Sequence, residues 1–247
     1  MRKIFIYLPL RKSESRIYNQ INILNSYLTA NNDVEIVYRT PKNSKIKICT
    51  GCQHCFKKGI CILDGSSDDD MREIKKEMLD SDFIVFTSPV YLHNVNADAK
   101  NFIDRIAYWT HILRMTGKNS MAISYADTNG ANIVYDYLNK ILNYLGCKTI
   151  KGECFSFGLL KAREVEDKSK ALAQNILDVI YLKKETVYRQ NQKLMFDMYK
   201  ETAQNNGLNE YERRFWKFVS DRGIKNIEEF EYFLNEVKNE TQIFKLG

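Results

Sequence analysis

The stretch "KIFIYLPLRKSESRIYNQINILNSYLTAN", residues 3–31, decides the fold because it joins a strand pattern to a helix pattern through a short polar loop. After Lys3, residues 4–8 of this stretch are an apolar run with β-branched and aromatic side chains, and the strand pattern of residues 3–8 is typical of a buried strand. Residues 16–31 repeat apolar side chains at helical spacing. The stretch therefore predicts a strand followed by a helix, with a polar loop between them.

The same alternation continues through residue 183 and makes five strand–helix units. Further strand patterns lie at 34–38, 83–88, 120–125 and 148–155. Further helix patterns lie at about 69–80, 97–113, 131–145 and 164–183. This alternation predicts an α/β fold with a doubly wound, five-stranded parallel sheet and helices on both faces. Ligands of such sheets bind beyond the carboxyl ends of the strands, where the strand order reverses.

Strand patterns stop after residue 183, and the remainder of the chain is helical in pattern. Three segments carry helical periodicity, with aromatic stripes in the last two: 187–207, 209–223 and 226–239. Two N-cap asparagines and two terminal glycines are predicted for them: Asn209, Asn226, Gly207 and Gly223. We therefore divide the chain into a main domain, residues 1–183, and a helical C-terminal extension, residues 184–247. The stripes are interpreted as packing surface against the main domain or a second subunit.

The composition is that of an ordinary globular protein, with 247 residues and 44% hydrophobic content. The longest apolar run near the start, residues 4–10, is too short to span a bilayer and lacks a secretory cleavage site. We therefore expect a cytoplasmic protein without a membrane partner. In that compartment thiols stay reduced, so clustered cysteines more often serve a metal, a cluster or redox chemistry than disulfides.

The net charge of +6 is concentrated in the first quarter of the chain. Residues 1–61 carry eleven Lys or Arg against three acidic residues. A positive field there attracts a phosphate-bearing ligand or an acidic partner, unless it is simply a solvated basic face. The aromatic residues are not interleaved with the basic ones in an RNA-binding motif, so we expect no nucleic-acid partner.

The first loop, residues 8–16, leaves the first strand and enters the first helix. It carries two hydroxyls and two arginines: Arg11, Ser13, Ser15 and Arg16. The unpaired amides and partial positive charge of a helix N-terminus favour a phosphate, and these side chains add donors. The loop has no G-x-G-x-x-G and no Walker lysine. A plain helix start, capped by Ser13 or Ser15, therefore stays an alternative.

The second loop, "SPVYLHN", residues 88–94, follows the third strand. Pro89 lacks a backbone donor and stiffens the predicted turn, so that nearby amides and the Tyr91 ring are held against a flat heterocycle such as a flavin. His93 is a candidate base or proton relay near neutral pH, although a loop histidine is more often simply solvated. Two charged residues further along are interpreted as ordinary helix-surface contacts: Asp104 and Arg105.

The third loop, "SYADTNGAN", residues 124–132, follows the fourth strand with small polar residues that let a ligand approach the backbone. By itself the pattern is weak. The three loops nevertheless occupy equivalent positions, at the strand tips where this architecture places its ligand.

Together, the early phosphate loop, "CTGCQHCFKKGIC" (residues 49–61) before "DDDM", and "SPVYLHNVNADAKNFIDR" (residues 88–105) resemble one known family. It is the NADPH-dependent FMN reductase and iron-sulfur flavoprotein family of flavodoxin-like proteins, and the resemblance covers about residues 1–180. The first loop departs from the family, which tends to begin it with Gly-Ser.

The resemblance implies non-covalently bound FMN. It places the phosphate on Arg11, Ser13, Ser15 and Arg16. It places the isoalloxazine on the second loop, at Ser88, Pro89, Val90, Tyr91, Leu92 and Asn94, with a contribution from Asp127, Thr128, Asn129 and Gly130. It also implies a homodimer or tetramer, since family members often build the flavin site at a subunit interface.

Four of the six cysteines, Cys49, Cys52, Cys55 and Cys61, lie within thirteen residues, and three interpretations of them stay open. A four-iron cluster needs four thiolates, and the spacing is similar to the compact motif of the iron-sulfur flavoproteins. Five nearby lysines favour the anionic thiolates. Zinc sites usually join two separated cysteine pairs and rank lower. The third interpretation is a loop of reduced thiols beside the flavin. The remaining two cysteines are read as buried apolar residues: Cys147 and Cys154.

We therefore predict an FMN-dependent NAD(P)H oxidoreductase that passes hydride or electrons to a small-molecule or peptide acceptor. Tyr91 and His93 are the candidate proton donors to a reduced substrate. One alternative is an iron-sulfur flavoprotein that transfers single electrons to a partner. A third class is a helical interaction module that uses the extension and has no enzymatic role.

Overall fold

The structure is a computed structural model that describes residues 1–12, 14–205 and 208–236. Its strands are β1 (Arg2–Tyr7), β2 (Val34–Arg39), β3 (Phe83–Tyr91), β4 (Asn94–Val95), β5 (Asn119–Ala126), β6 (Lys148–Thr149) and β7 (Glu153–Ser156). The parallel strands run in the order β2-β1-β3-β5, and β6 and β7 both pair with the far edge of β5. The doubly wound parallel sheet predicted from the sequence is confirmed.

The fifth strand differs from the prediction, because residues 148–155 form two short strands instead of one. Gly152 lies between them, and a Cβ at this position would stand 1.8 Å from the Ala122 carbonyl oxygen of β5. The chain thus approaches its neighbour too closely for a regular ladder with a side chain at this point. The pairing resumes at Glu153, opposite Ile123.

The helices are α1 (Arg16–Thr29), α2 (His54–Lys58), α3 (Met71–Asp80), α4 (Ala97–Ile106), α5 (Ala131–Tyr144), α6 (Ala162–Ile180), α7 (Gln190–Gln204), α8 (Glu210–Asp221) and α9 (Ile227–Glu236). Short 3-10 helices span Ile62–Gly65 and Ala107–Ile112. The helix predicted at 97–113 therefore ends as an α-helix at Ile106 and continues as a 3-10 helix. The pattern did not predict α2, which lies within the cysteine segment.

Strand β1 shows why both faces of the sheet are covered. Ile4 and Ile6 face a core that includes α1 and α6, whereas Phe5 and Tyr7 face a second core that includes α3 and α4. All four side chains are almost fully buried, as expected for a central strand of a parallel sheet. Burial of each side chain stabilises the fold by about 1.5–3 kcal/mol.

The C-terminal extension is helical, as predicted, and has an aromatic core of its own. That core is built mainly from Phe196, Tyr211, Phe215, Trp216 and Phe230, and it also includes Ile112 and Leu113 of the preceding region. The division at residues 183 and 184 stays a prediction. None of the helices in the described ranges is long and apolar enough to cross a bilayer.

The predicted helix ends can be compared with the described part of the extension. Asn209 precedes α8, and its backbone N–H donates to Glu212. The Asn226 side chain accepts from the Glu229 N–H at the start of α9. Gly223 follows α8 with a φ of 70°, which suits a glycine helix end. Gly207 and the segment after Glu236 lie outside the described residues.

Candidate functional site

A cleft of about 660 Å³ lies at the carboxyl ends of β1, β3 and β5, where the strand order reverses. Its walls come from the three predicted loops and from the segment after β7. The residues lining it are Lys12, Glu14, Ser15, Arg16, Ile17, Pro89, Val90, Tyr91, Leu92, His93, Tyr125, Ala126, Asp127, Thr128, Asn129 and Phe157. The three loops that were predicted to converge do share one cleft.

The first loop reaches the cleft through the start of α1. Ser15 is the N-cap, and its side chain accepts from the Tyr18 N–H at 3.3 Å, as the capped-helix alternative predicted. Arg16 also lines the cleft. Arg11 is not among the lining residues, because its guanidinium donates to both carboxylate oxygens of Asp98, at 2.9 and 2.8 Å. Ser13 lies outside the described residues.

The second loop turns later than the sequence predicted. Pro89 lies within β3, opposite Tyr125 of β5, and the turn is formed by Leu92 and His93. These two residues have φ angles of 48° and 58°, the left-handed conformation of a tight two-residue hairpin. The prediction of a turn at Pro89 is therefore wrong: the β3 ladder extends through it to Tyr91.

This hairpin presents Tyr91 and Leu92 at the rim, where they are 62% and 96% exposed. Two other predicted residues of the loop serve the hairpin instead of lining the cleft. The buried Ser88 hydroxyl donates to the Pro89 carbonyl, and the Asn94 side chain accepts from the Val95 N–H. Ser88 and Asn94 therefore stabilise the conformation of the hairpin.

The third loop contributes Asp127, Thr128 and Asn129 to the lining. Gly130 begins α5 with a φ of 81°, and a Cβ there would lie 2.9 Å from His93 Nδ1. Glycine therefore lets the second and third loops approach each other closely.

The charged side chains of the cleft are two cations and two carboxylates. Arg16 pairs with Asp127 across the cleft, and its guanidinium lies 5.3 Å from the centre of the Phe157 ring. Lys12 and Glu14 complete the set. A phosphate entering this cleft therefore meets both attractive and repulsive charges.

Sequence reasoning missed two aromatic residues of the cleft. Phe157 and Tyr125 have stacked rings 6.0 Å apart. Burial raises the pKa of Tyr125 well above its ordinary value, and its hydroxyl donates to Gln20 at 2.8 Å. Tyr125 is therefore a neutral wall residue. The position of Tyr125 at the end of a predicted strand could have identified it as a cleft residue. Phe157 follows β7, and the sequence pattern did not predict where that strand ends.

The cysteine segment, residues 49–61, forms an irregular loop around α2. Gly51, Gln53 and Gly59 have positive φ angles of 68°, 58° and 74°. The two glycines adopt this conformation readily, whereas at Gln53 it persists only because the surrounding structure fixes it. Asn101 on α4 accepts from the Cys49 N–H at 3.1 Å and donates to the Ile46 carbonyl, which holds the start of the segment.

Arg105, one turn further along α4, holds the other end of the segment. Its guanidinium donates to both oxygens of Asp69 and to Asp64 Oδ1, three residues beyond Cys61. Lys75 binds the other oxygen of Asp64 at 2.7 Å. The interpretation of Arg105 as a helix-surface residue is wrong: it is 1% exposed. A charged residue in a helical pattern gives no sign of buried partners that are distant in sequence.

The ionisation of this network follows from its contacts. Burial opposes the charge of Arg105, but its hydrogen bonds to Asp69 and the negative charge of that carboxylate raise its pKa. Burial also opposes the charge of Asp69, and hydrogen bonds from Arg105 and two backbone N–H groups lower its pKa nevertheless. Arg105 Nε is buried and has no hydrogen-bond partner within the described residues.

The four thiols of the segment differ in exposure. Cys52 is exposed, and its pKa is lowered chiefly by the His54 N–H and then by Thr50. Burial raises the pKa of Cys55 to about 11, and the nearby Cys61 and Cys49 add to this effect. Across the described ranges, no three His, Cys, Asp or Glu side chains are placed to hold a metal ion. Outside the segment, Cys147 is fully buried, as predicted, but Cys154 is only partly so.

The sequence matches a family described as NADPH-dependent FMN reductase over residues 13–160. The chain is 34% identical over 143 residues to an iron-sulfur flavoprotein of Archaeoglobus fulgidus, covering 58% of this chain and 62% of that protein. It is 33% identical over 102 residues to an iron-sulfur flavoprotein of Methanocaldococcus jannaschii, covering 39% and 48%. The matches thus span less than two thirds of these relatives' own length.

Solved structures resemble the fold. An oxidoreductase from Corynebacterium diphtheriae has a TM-score of 0.55 at 15% identity, covering 75% of this chain and 99% of that one. The apo form of an NADH:FMN oxidoreductase has a TM-score of 0.51 at 13% identity, covering 78% and 94%. At these identities the likeness supports the flavodoxin-like fold alone.

Proposed function

Because the chain belongs to the NADPH-dependent FMN reductase family, we propose that it is an FMN-dependent oxidoreductase that takes hydride from NADH or NADPH. It then passes hydride or electrons to a small-molecule or peptide acceptor. The observation that carries the proposal is the convergence of three loops on one cleft at the carboxyl ends of β1, β3 and β5. This is where sheets of this kind bind their ligands.

The residues of the cleft fit FMN. Its volume of about 660 Å³ lies in the range of small-molecule sites. The closest approach of its loops requires Gly130, since a Cβ there would meet His93 and Val90 at 2.9 and 3.0 Å. When bound, FMN supplies the hydride and electron chemistry, and the protein supplies binding and orientation.

We assign the residues of the cleft to parts of the flavin. Ser15 and Arg16 at the start of α1, with Lys12 in the loop before it, are assigned to the phosphate, because the helix N-terminus and the two cations favour an anion. The segments 89–92 and 127–129 line the part of the cleft that we assign to the ring system. Backbone N–H groups of these segments stabilise charge at the flavin edge.

Tyr91 and His93 hold protons for the acceptor in this proposal. Both line the cleft, and Tyr91 stands at its open rim. The exposure of Tyr91 and Leu92 supports the further proposal that a second copy of the chain covers this rim, in a homodimer or tetramer. The six cysteines, all in the described residues, are free thiols, which supports a cytoplasmic location.

Titration of the flavin-free protein with FMN, followed by quenching of flavin fluorescence, tests the proposal. Thr128→Trp places a large side chain in the cleft at an exposed position, and we expect FMN affinity to fall at least about tenfold. Thr29→Trp is the matched control, since Thr29 is exposed at the opposite end of α1. Equal binding by both variants, or no binding by the wild type, would contradict the assignment. Comparing NADH and NADPH turnover then decides the donor.

A second candidate function, electron transfer through a cysteine-bound cluster, is favoured by the cysteine segment. Residues 45–61 contain four lysines and no acidic residue, which favours anionic sulfur. The Nε of Arg105 is a buried donor without a partner in the described residues, on the side chain that binds Asp64, three residues beyond Cys61. The thiols do not fit a single ion. A four-iron cluster would be held by Cys49, Cys52, Cys55 and Cys61 and would supply one-electron transfer.

Iron and sulfide quantitation on anaerobically purified protein tests this second candidate. Cys61→Ser is expected to lower the iron content, whereas Cys154→Ser, outside the segment, leaves it unchanged. A yellow wild-type protein without iron or sulfide would remove the cluster and leave the flavin proposal standing.

A further inference from the structure

One face of the C-terminal extension lies against the cysteine segment. Helix α8 contacts α2, the helix that carries Cys55. The contact is made at Gly59, where a Cβ would stand 2.3 Å from Cε2 of the Tyr211 ring. Tyr211 is itself only 3% exposed, so its ring is held between the segment and the extension's own core.

The glycine in this contact is hydrogen-bonded to the backbone of Cys55. The Gly59 N–H donates to the Cys55 carbonyl at 2.8 Å and closes the last turn of α2. Gly59 also has a φ of 74°, so the turn depends on a residue that combines a left-handed backbone with the absence of a side chain. The Tyr211 ring therefore lies over the backbone unit that orients Cys55.

A second set of contacts joins the extension to α2 and to the 3-10 helix that carries His111. The ring of His111 lies between Phe56 of α2 and Tyr199 of α7, with centroid distances of 4.9 and 5.8 Å. His111 Nδ1 is 2.7 Å from Oε1 of Glu212, which is 2% exposed on α8. The Trp216 indole N–H donates to the His111 carbonyl at 2.9 Å. The extension is thus fixed to the main domain beside the segment.

We propose that the C-terminal extension is a positioning wall for the cysteine segment, with Tyr211 as its central residue. The wall holds the turn of α2 that keeps Cys55 packed against the main-domain core, while Cys52 is open to solvent, so the cysteines differ in their access to reagents, oxidants and partners. This role goes beyond the proposed oxidoreductase chemistry, and it holds whether the thiols carry a cluster or stay free.

Site-resolved alkylation of the full-length, reduced and metal-free protein tests the wall. Iodoacetamide is added at one pH, and the labelling rate of each cysteine is read by mass spectrometry. In Tyr211→Ala we expect Cys55 to label at least about tenfold faster while the core residue Cys147 keeps its wild-type rate. Tyr211→Phe retains the ring that contacts Gly59 and should keep Cys55 protected. Tyr232→Ala, at an exposed tyrosine of α9, is the matched control.

The reciprocal variant Gly59→Ala approaches the same contact from the other side. Its Cβ displaces the Tyr211 ring, so Cys55 labelling should also accelerate, and the double variant Gly59→Ala/Tyr211→Ala should add little further. An unchanged Cys55 rate in both single variants would overturn the proposal. A parallel rise at Cys147 would also overturn it, because the effect would then be general unfolding. The readout needs neither flavin nor iron, so its failure leaves the proposed function intact.

Discussion

Asp127→Asn should tighten the binding of FMN, although the family resemblance places Asp127 among the flavin-binding residues. In the structure this carboxylate forms an ion pair with Arg16, the cation at the start of α1 that we assign to the flavin phosphate. Phosphate must therefore compete with the carboxylate for the guanidinium. The amide of asparagine keeps the size of the side chain and removes the competing charge.

The magnitude follows from the exposure of the pair. The Arg16 and Asp127 side chains are 55% and 77% exposed, so their ion pair has the small value typical of a surface pair. Such pairs contribute about 0.2–1 kcal/mol. Releasing Arg16 from this interaction corresponds to an affinity gain of about 1.4- to 5-fold, since 1.4 kcal/mol is a factor of ten. The gain shrinks as salt screens the charges.

The assay is a fluorescence titration of flavin-free protein with FMN and, separately, with riboflavin, which lacks the phosphate. Asp127→Asn should improve FMN binding and leave riboflavin binding unchanged. Asp104→Asn is the control, because Asp104 pairs with Lys100 on the surface of α4 and neither residue lines the cleft. It should alter neither titration.

Two results would refute this reasoning. Weaker FMN binding by Asp127→Asn would mean that the carboxylate contributes to flavin binding directly, as the resemblance implies. An equal gain for FMN and riboflavin would mean that the substitution acts on the ring system instead of on the phosphate.

Two further predictions concern stability in urea. Arg105→Ala should cost about 3–5 kcal/mol, because it leaves buried Asp69 without its partner, whereas Lys100→Ala, at an exposed pair, should cost about 1 kcal/mol or less. The folded-state pKa of Asp69 is lowered, so its contribution to stability is present above its ordinary pKa and is lost as the pH falls. The free energy of unfolding of Arg105→Ala should therefore decrease less steeply than that of the wild type as the pH is lowered. Equal urea midpoints for Arg105→Ala and Lys100→Ala, or the same loss of stability at low pH in Arg105→Ala and the wild type, would contradict this. Gly152→Ala should cost about 3 kcal/mol, because its Cβ meets a carbonyl oxygen of β5, and Gly223→Ala, with open space around it, only about 1 kcal/mol. The reverse order would be inconsistent with the close approach.

The sheet could be predicted from the sequence because its strands are buried on both faces, and continuous apolar runs are a local signal. Burial of Phe83 through Phe86, all at 1% exposure or less, is an example. The positions of the strand ends were harder to predict. Pro89 interrupts the pattern of a strand, yet β3 continues through it because β5 pairs alongside to Tyr125. The break at Gly152 likewise depends on the distance to another strand.

The candidate site shows the same division. The hydroxyls, arginines and polar loop residues could be placed at strand tips from spacing alone, because parallel strands align their carboxyl ends. Whether a cation faces a ligand or a carboxylate could not be predicted from spacing. Arg11 and Arg16 look alike in the sequence, but Asp98 holds the first outside the cleft and Asp127 pairs with the second within it.

By itself, the sequence determined the alternation of the main strands and helices, the two-sided core and the three loops that line the cleft, because hydrophobic periodicity and loop position are local properties of the chain. Only the tertiary structure decided that Arg105 is buried, that Phe157 lines the cleft and that Tyr211 lies over Gly59. These contacts join residues far apart in the sequence, and no local pattern encodes such distances.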